Sequence, residues 1–286
     1  MRHAGAIAGL LAALAFAAGA GVARAGEVPG RVVSMNVCTD QLALLVAAPG
    51  QVVSVSALAH DPAASMMRAE AAAIPANSGQ AEDVFLLRPD LVLTGTFSTR
   101  GATVLLRRLG VEVAEFAPAD SLADIRANIV RMGDLLGRRV RAAEVVAAFD
   151  AEVARVAAGV ADAGPRATTW EANGFTRGRG TLEGEIVARA GFRNIAAELG
   201  YAGPVRLPLE TLVMEAPDAL IVSDRWRETP ALALQVLDHP AIRRRLPDAH
   251  RVPVPGRLWA CGTPHVTQAL GRLAAAATRI GGEVQR

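Results

Sequence analysis

The sequence predicts an α/β fold: two Rossmann-like lobes joined by a single long α-helix, with a ligand cleft between the lobes. Three observations carry this. Short β-branched runs alternate with helical patterns, as in parallel βαβ units. One helix-to-strand segment occurs once in each half of the chain. Between the halves, Val145, Phe149, Val153, Val156 and Val160 recur at helical spacing. A length of 286 residues suits about two domains at roughly 100–200 residues each. The expected division is a leader over 1–25, an N-terminal lobe over 26–137, a linker helix over 138–163 and a C-terminal lobe over 164–286.

The elements follow in order. Met1-Arg2-His3 is a short basic start, Ala4 to Ala23 is apolar, and Ala23-Arg24-Ala25 is an A-x-A site. This pattern predicts a secretory signal peptide cleaved after Ala25. The alternative is an uncleaved anchor, because the apolar run is nearly long enough to span a bilayer. No Cys follows the apolar run, so no lipid anchor is expected. In the N-terminal lobe, strands are predicted over Arg31–Met35, Gln51–Val55, Asp90–Thr94 and Val111–Phe116. Thr39 or Asp40 is expected to cap a helix running through Val46. Further helices are expected over Glu82–Leu87 and Thr103–Leu109. The linker helix, Arg138 to Val160, would be about 33 Å long at 1.5 Å per residue. In the C-terminal lobe, strands are predicted over Arg166–Trp170, Ala219–Ser223 and His250–Val254. Helices are predicted over Leu182–Ala190, Leu209–Glu215 and Val266–Ile280.

The repeated segments are 82–93 and 210–221. Each runs from Glu through an apolar turn to Pro-Asp and an apolar strand, with the same Glu-to-Pro spacing. Pro stops the helix and Asp starts the turn. Composition limits the function. Hydrophobic residues make up 51% and charged residues 20%, so the chain is built to bury cores. Its 30 basic residues, all Arg, stand against 28 acidic ones, and loss of Arg2 and Arg24 with the leader leaves no net charge. That balance provides no footprint for nucleic acid. Without Lys there is no P-loop or Schiff-base chemistry. Gly178 to Gly184 has one residue too many for a dinucleotide fingerprint and reads as a loop feeding a helix. No G-x-S-x-G, HExxH or EF-hand pattern occurs, so no catalytic constellation is expected.

Arg31-Val32-Val33-Ser34-Met35-Asn36, Leu87-Arg88-Pro89-Asp90-Leu91-Val92-Leu93, the long central helix and Asp218-Ala219-Leu220-Ile221-Val222 occur in a telling order. In this order the chain resembles the helical-backbone (class III) periplasmic substrate-binding proteins of ABC importers for iron–siderophores, haem and vitamin B12. The resemblance implies a periplasmic monomer that captures a metal chelate, an iron–siderophore or cobalamin-type compound, without a cofactor of its own. It implies transient docking on a permease dimer and its ATPase, through one carboxylate on each lobe. The matching positions are Glu82 and Glu210. A second reading is a periplasmic metal- or haem-binding protein using the Cys and His residues of the same cleft. A third is a secreted α/β enzyme, and a fourth a sensory receptor domain.

Ligands of parallel α/β lobes lie at the carboxyl ends of the strands. That rule selects Asn36, Cys38, Thr39, His60, Phe97 and Arg100 in the first lobe. In the second it selects Trp170, Phe175, Trp226, Trp259, Cys261 and His265. All three Trp of the chain fall in this set, as walls for a large flat ligand. For Trp170 and Trp259, on or beside strands, core packing is the alternative. Arg100, Arg177 and Arg225 are candidates for pairing with an anionic chelate. Three arrangements are open for Cys38 and Cys261: free thiols beside the ligand, a disulfide, or metal ligation together with His60 and His265.

Overall fold

The computed structural model describes residues 28–160, 164–223, 240–246 and 248–284. The expected signal peptide, Arg225 and Trp226 lie outside the described residues. The N-terminal lobe runs β1 (Val32–Ser34), α1 (Val37–Val46), β2 (Val52–Ser56), α2 (Arg68–Ala71), β3 (Ala76–Asn77), α3 (Ala81–Leu86), β4 (Leu91–Gly95), α4 (Arg100–Arg108) and β5 (Val113–Phe116). Its five strands are parallel, in the order β3-β2-β1-β4-β5. The winding reverses between β1 and β4, and at such a switch point the connecting loops diverge and leave a crevice.

Two helices follow, α5 (Leu122–Leu135) and α6 (Arg139–Ala157). The alternation reading did not include α5. Ser121 caps it by accepting from the Asp124 amide. Within the span expected for the linker, α6 provides 19 helical residues. It buries Ala142, Val145, Phe149, Val153 and Val156 along one stripe.

The C-terminal lobe runs β6 (Arg166–Trp170), β7 (Phe175–Arg177), α7 (Leu182–Arg189), β8 (Arg193–Asn194), α8 (Ile195–Glu198), β9 (Pro204–Arg206), α9 (Leu209–Glu215), β10 (Ala219–Ser223), α10 (Pro240–Arg245), β11 (Arg251–Val254) and α11 (Val266–Val284). Four strands form a parallel sheet in the order β11-β10-β6-β8, and β7 pairs antiparallel with β9 as a separate ribbon. This sheet reverses its winding between β6 and β10.

The repeat seen in the sequence reappears in the structure as one shared joint. In both copies the residue two after Glu, Val84 or Leu212, is buried. The residue before Pro, Arg88 or Ala216, closes the helix at φ 49° or 45°. Asp90 Oδ2 then accepts from the Gly30 and Arg31 amides, and Asp218 Oδ2 accepts from the Arg166 amide. The Arg31 guanidinium donates to the Leu87 carbonyl at 2.7 Å, and that of Arg166 to the Glu215 carbonyl at 2.5 Å. An Arg at the start of the first strand therefore satisfies the orphan carbonyls of the helix that feeds its neighbour. The Asp after Pro pins that strand's first amide.

One buried apolar cluster extends from Val32 and Leu93 through Phe149 and Val153 to Ile221 and Leu273. It covers the inner faces of both sheets and the stripe of α6, so the lobes share a continuous core. The outer face of each sheet has a smaller core of its own. Val33 and Val92 pack with Ala81, Val84 and Leu106. Leu220 and Val222 pack with Trp170, Leu212 and Ile242. A joint packed this way resists large hinge motion.

Candidate functional site

The carboxyl ends of the two sheets face each other across a cleft of about 360 Å³. Ligand pockets of the size class that holds small molecules begin at about this volume. Asn36 and Thr39 follow β1, Thr96, Phe97 and Ser98 follow β4, and residues 117–120 follow β5. The opposite wall is Arg177, Thr181, Glu183 and Trp259, with Ala260 and Gly262.

Local chemistry sets these positions. Asn36, rather than Thr39 or Asp40, caps α1. Its Oδ1 accepts from the Cys38 amide at 2.9 Å and the Thr39 amide at 3.4 Å. Asn36 is extended, so its side chain reaches back over the first turn. Its Nδ2 donates to Ser98 Oγ at 3.1 Å, joining the loops after β1 and β4. Gly95 permits this approach, because a Cβ there would stand 2.9 Å from Ser98 Oγ. Asp40 is instead turned into the core. Its carboxylate accepts from the Ser56 amide and hydroxyl, and burial pushes its pKa up to about 6 against those hydrogen bonds.

The wall from the C-terminal lobe is charged. Arg177 Nη2 meets Glu171 at 3.0 Å. Glu183 is half-buried nearby. Desolvation raises its pKa, the Arg177 charge opposes that, and Glu171 and Asp120 add to it. Burial acts to lower the Arg177 pKa, but Glu183 and Glu171 outweigh it and hold the guanidinium charged. Two carboxylates, Glu171 and Glu183, thus act on one cation, and Asp120 acts on Glu183.

The lobes are tied together at the cleft. Cys38, in the first turn of α1, is joined to Cys261 by a disulfide with Cα atoms 5.0 Å apart at a sequence separation of 223. The free-thiol and metal-ligand arrangements are therefore not formed. Two loops that share no local sequence meet here because α6 and the common core bring the lobes together. A Cβ on Gly262 would collide with Ala119 of the other lobe. The Leu122 amide donates to Glu185 Oε2 at 2.9 Å across the same junction.

Of the residues selected from sequence, Asn36, Cys38, Thr39, Phe97, Arg177 and Trp259 line the cleft. Phe97 stands at the mouth, 74% exposed, with the Arg100 guanidinium 5.7 Å from its ring centroid. Arg100 itself points along the rim and donates to the Thr96 carbonyl. Trp170 is a correction. Strand alternation turns it to the outer face of its sheet, opposite Ala167, and it is buried against Leu207, Leu212 and Val222. Phe175 opens β7 and is exposed on the ribbon, outside the cleft lining. His60 and His265 are half-buried and also outside that lining. His60 lies near Asp40. His265 has its pKa lowered by burial, against the opposing charge of Glu70. Among the described residues no group of three or more His, Cys, Asp or Glu is placed to hold a metal ion.

Sequence reasoning missed Thr181, Glu183 and Asn128 as wall residues. The glycine run 178–184 was the signal for Thr181 and Glu183, whereas Asn128 lies on α5, the helix outside the strand–helix alternation. The amides of Gly178 and Gly180 donate to the carbonyls of Gly203 and Ala202, and a Cβ at Gly178 would strike the Tyr201 carbonyl. The glycines let this loop pack against the backbone before β9, and that packing presents the start of α7 to the cleft.

Glu82 and Glu210 lie in the first turns of α3 and α9. Both are exposed, and neither has a hydrogen-bond or ion-pair partner among the described residues. Each helix runs into a parallel strand, so both carboxylates lie toward the carboxyl-end side of their sheets, where the cleft opens. No helix among the described residues is long and apolar enough to cross a membrane.

The chain is similar to a cobalamin-binding protein of Halobacterium salinarum, 28% identical over 250 residues, covering 86% of this chain and 66% of that protein. It thus spans just under two thirds of that relative's length. Among solved structures it is similar to a periplasmic haem-binding protein of Roseiflexus sp. RS-1, with TM-score 0.71 and 23% identity over 88% of this chain and 98% of the other. It is also similar to the periplasmic vitamin B12-binding protein of Vibrio cholerae, with TM-score 0.67 and 15% identity over 88% and 98%. At these identities the structures establish a shared two-lobed fold. The family description "periplasmic binding protein" matches residues 32–245, three quarters of the sequence, and the chain belongs to that family.

Proposed function

We propose that this binding protein captures a corrinoid, a flat chelate whose metal is already coordinated by its own macrocycle, and delivers it to an ABC permease dimer and its ATPase. The observation that carries this reading is the charge of the cleft wall. Arg177 is paired with Glu171 and lies beside Glu183, and Asp120 lines the same cleft, so an anionic ferric catecholate or the carboxylates of haem would meet more carboxylates than cations there. Peripheral amides fit the neutral groups Asn36, Ser98 and Asn128, and Phe97 and Trp259 offer apolar faces. Among the described lining residues none is His, Tyr or Met, so the site favours a ligand that needs no axial donor from the protein. The cobalamin-binding relative supports the same ligand class.

In this reading the leader, residues 1–25, exports the chain and is removed, and the mature protein works as a periplasmic monomer. The shared core and the disulfide hold the lobes nearly fixed, so the ligand enters a preformed jaw that closes only slightly. Glu82 and Glu210 then orient the loaded protein on the permease, setting register more than affinity. The test is titration of the purified protein with cyanocobalamin, haemin and a ferric catecholate, followed by absorption and by the rise in Tm that selective binding produces. The expected result is saturable 1:1 binding of the corrinoid alone. Tight binding of haemin or the catecholate without the corrinoid would overturn the assignment.

A further inference from the structure

Among the large apolar side chains described as exposed, Met214 at 83% and Leu86 at 78% are the most exposed. A single exposed Leu or Met needs no explanation. Their positions do, because both stand four residues after the docking carboxylates, Glu82 and Glu210, at equivalent places in the repeat. Residues four apart share a helix face, with Cβ atoms about 5–6 Å apart. The buried anchors Val84 and Leu212 hold the two short helices in the same rotational setting. Phe85, 43% exposed, widens the apolar patch on α3. Each lobe therefore displays one acid and one apolar knob, a helical turn apart, on a helix whose other face is packed.

We propose that Glu82 with Leu86 and Glu210 with Met214 form two equivalent docking epitopes, each seating in one subunit of the permease dimer. The inference rests on the docking reading and adds the apolar half of the contact. One chain showing the same acid-and-apolar pair twice matches a partner that offers the same acceptor twice: a cation beside an apolar recess, repeated by a two-fold axis. The division of labour follows from physical chemistry. An exposed ion pair contributes little net affinity, whereas an exposed Leu or Met that becomes buried contributes through the hydrophobic effect. The acids select orientation and the knobs hold the complex.

The test measures docking of the full mature protein, loaded with ligand, on its purified permease–ATPase complex in nanodiscs, with empty nanodiscs as control. Leu86→Ser and Met214→Ser should each weaken docking about tenfold, or about 1.4 kcal/mol. The double variant should weaken it about a hundredfold, with ligand affinity and Tm unchanged. Val140→Ser, at a side chain 76% exposed on α6, should leave docking as it is. If Glu82→Gln with Glu210→Gln abolishes docking while the Ser double variant docks normally, the apolar contact is wrong and the docking reading stands. If neither pair matters, both fall. If the protein binds empty nanodiscs as well, and the Ser variants lose that binding too, the knobs meet lipid and the inference is overturned.

Discussion

The two lobes are alike at one end and unlike at the other. At the amino ends of their sheets, the Arg31–Asp90 and Arg166–Asp218 joints share one pattern: the strand's first amide donates to the Asp, and the Arg guanidinium donates to the helix-end carbonyl. At the carboxyl ends, the first lobe presents the Asn36 amide, the Ser98 hydroxyl and the single carboxylate of Asp120, capped by an exposed Phe97. The second presents a charged cluster on a glycine-rich loop braced by an antiparallel ribbon. The amino-end joint only has to stop a helix and start a strand, a task with one good solution that both halves retain. The carboxyl ends face the ligand from opposite sides, and different chemistry is useful there.

Removing the crosslink between the lobes has the largest expected effect. The disulfide closes a very long loop, and Cys38→Ser with Cys261→Ser should cost about 4 kcal/mol in a guanidinium melt. It should also speed ligand release in stopped-flow measurements, because the jaw loses its tie across the cleft. A stable double variant with unchanged release would mean that the shared core alone fixes the lobes.

Asp40 gives the N-terminal lobe a pH response of its own. Its pKa is near 6 in the folded state and about 3.8 in an unfolded chain, so folding favours the protonated form. Its contribution is fully present below about pH 4 and is lost as pH rises through 6. The difference between wild type and Asp40→Asn should therefore change by up to about 3 kcal/mol between pH 4 and 7. Urea melts at several pH values read this directly, and parallel curves would contradict it.

The joints provide a matched pair of smaller effects. Asp90→Ala and Asp218→Ala should each cost about 2 kcal/mol, since each leaves strand-start amides without a charged acceptor. A much larger loss in one lobe would show that the repeat is geometric without being energetic. Smallest is the left-handed residue before each Pro. Arg88→Gly and Ala216→Gly should each gain about 1 kcal/mol in stability, because Gly carries no Cβ penalty at these φ values. Equal shifts in Tm would confirm that the two helix ends are built alike.

Much of this organisation is legible in the residues. The spacing of Val145, Phe149, Val153 and Val156 announces a buried helical stripe, and the structure buries those four. The equal Glu-to-Pro spacing announces the repeated joint. The site is less legible. Trp170 and Trp259 look alike in sequence, each at or beside a strand, yet one is core and the other wall. The alternation of β6 sends Trp170 beneath α9, a consequence of sheet position that no local pattern states. The capping role expected of Thr39 or Asp40 falls to Asn36, which also lines the cleft as expected. Asn36 and Asp40 are both good caps by composition, and only the nearby Ser56 decides that Asp40 is drawn inward.

By itself, then, the sequence determined the two α/β halves, the helix between them and the joint that each half repeats, because these depend on periodicity and on contacts within a few residues or one repeat. Tertiary structure alone decided the pairing of Cys38 with Cys261, the placing of Glu171 and Glu183 beside Arg177 and the matched outward faces of α3 and α9. Those depend on which loops are brought opposite one another once two separately wound sheets pack onto a common helix.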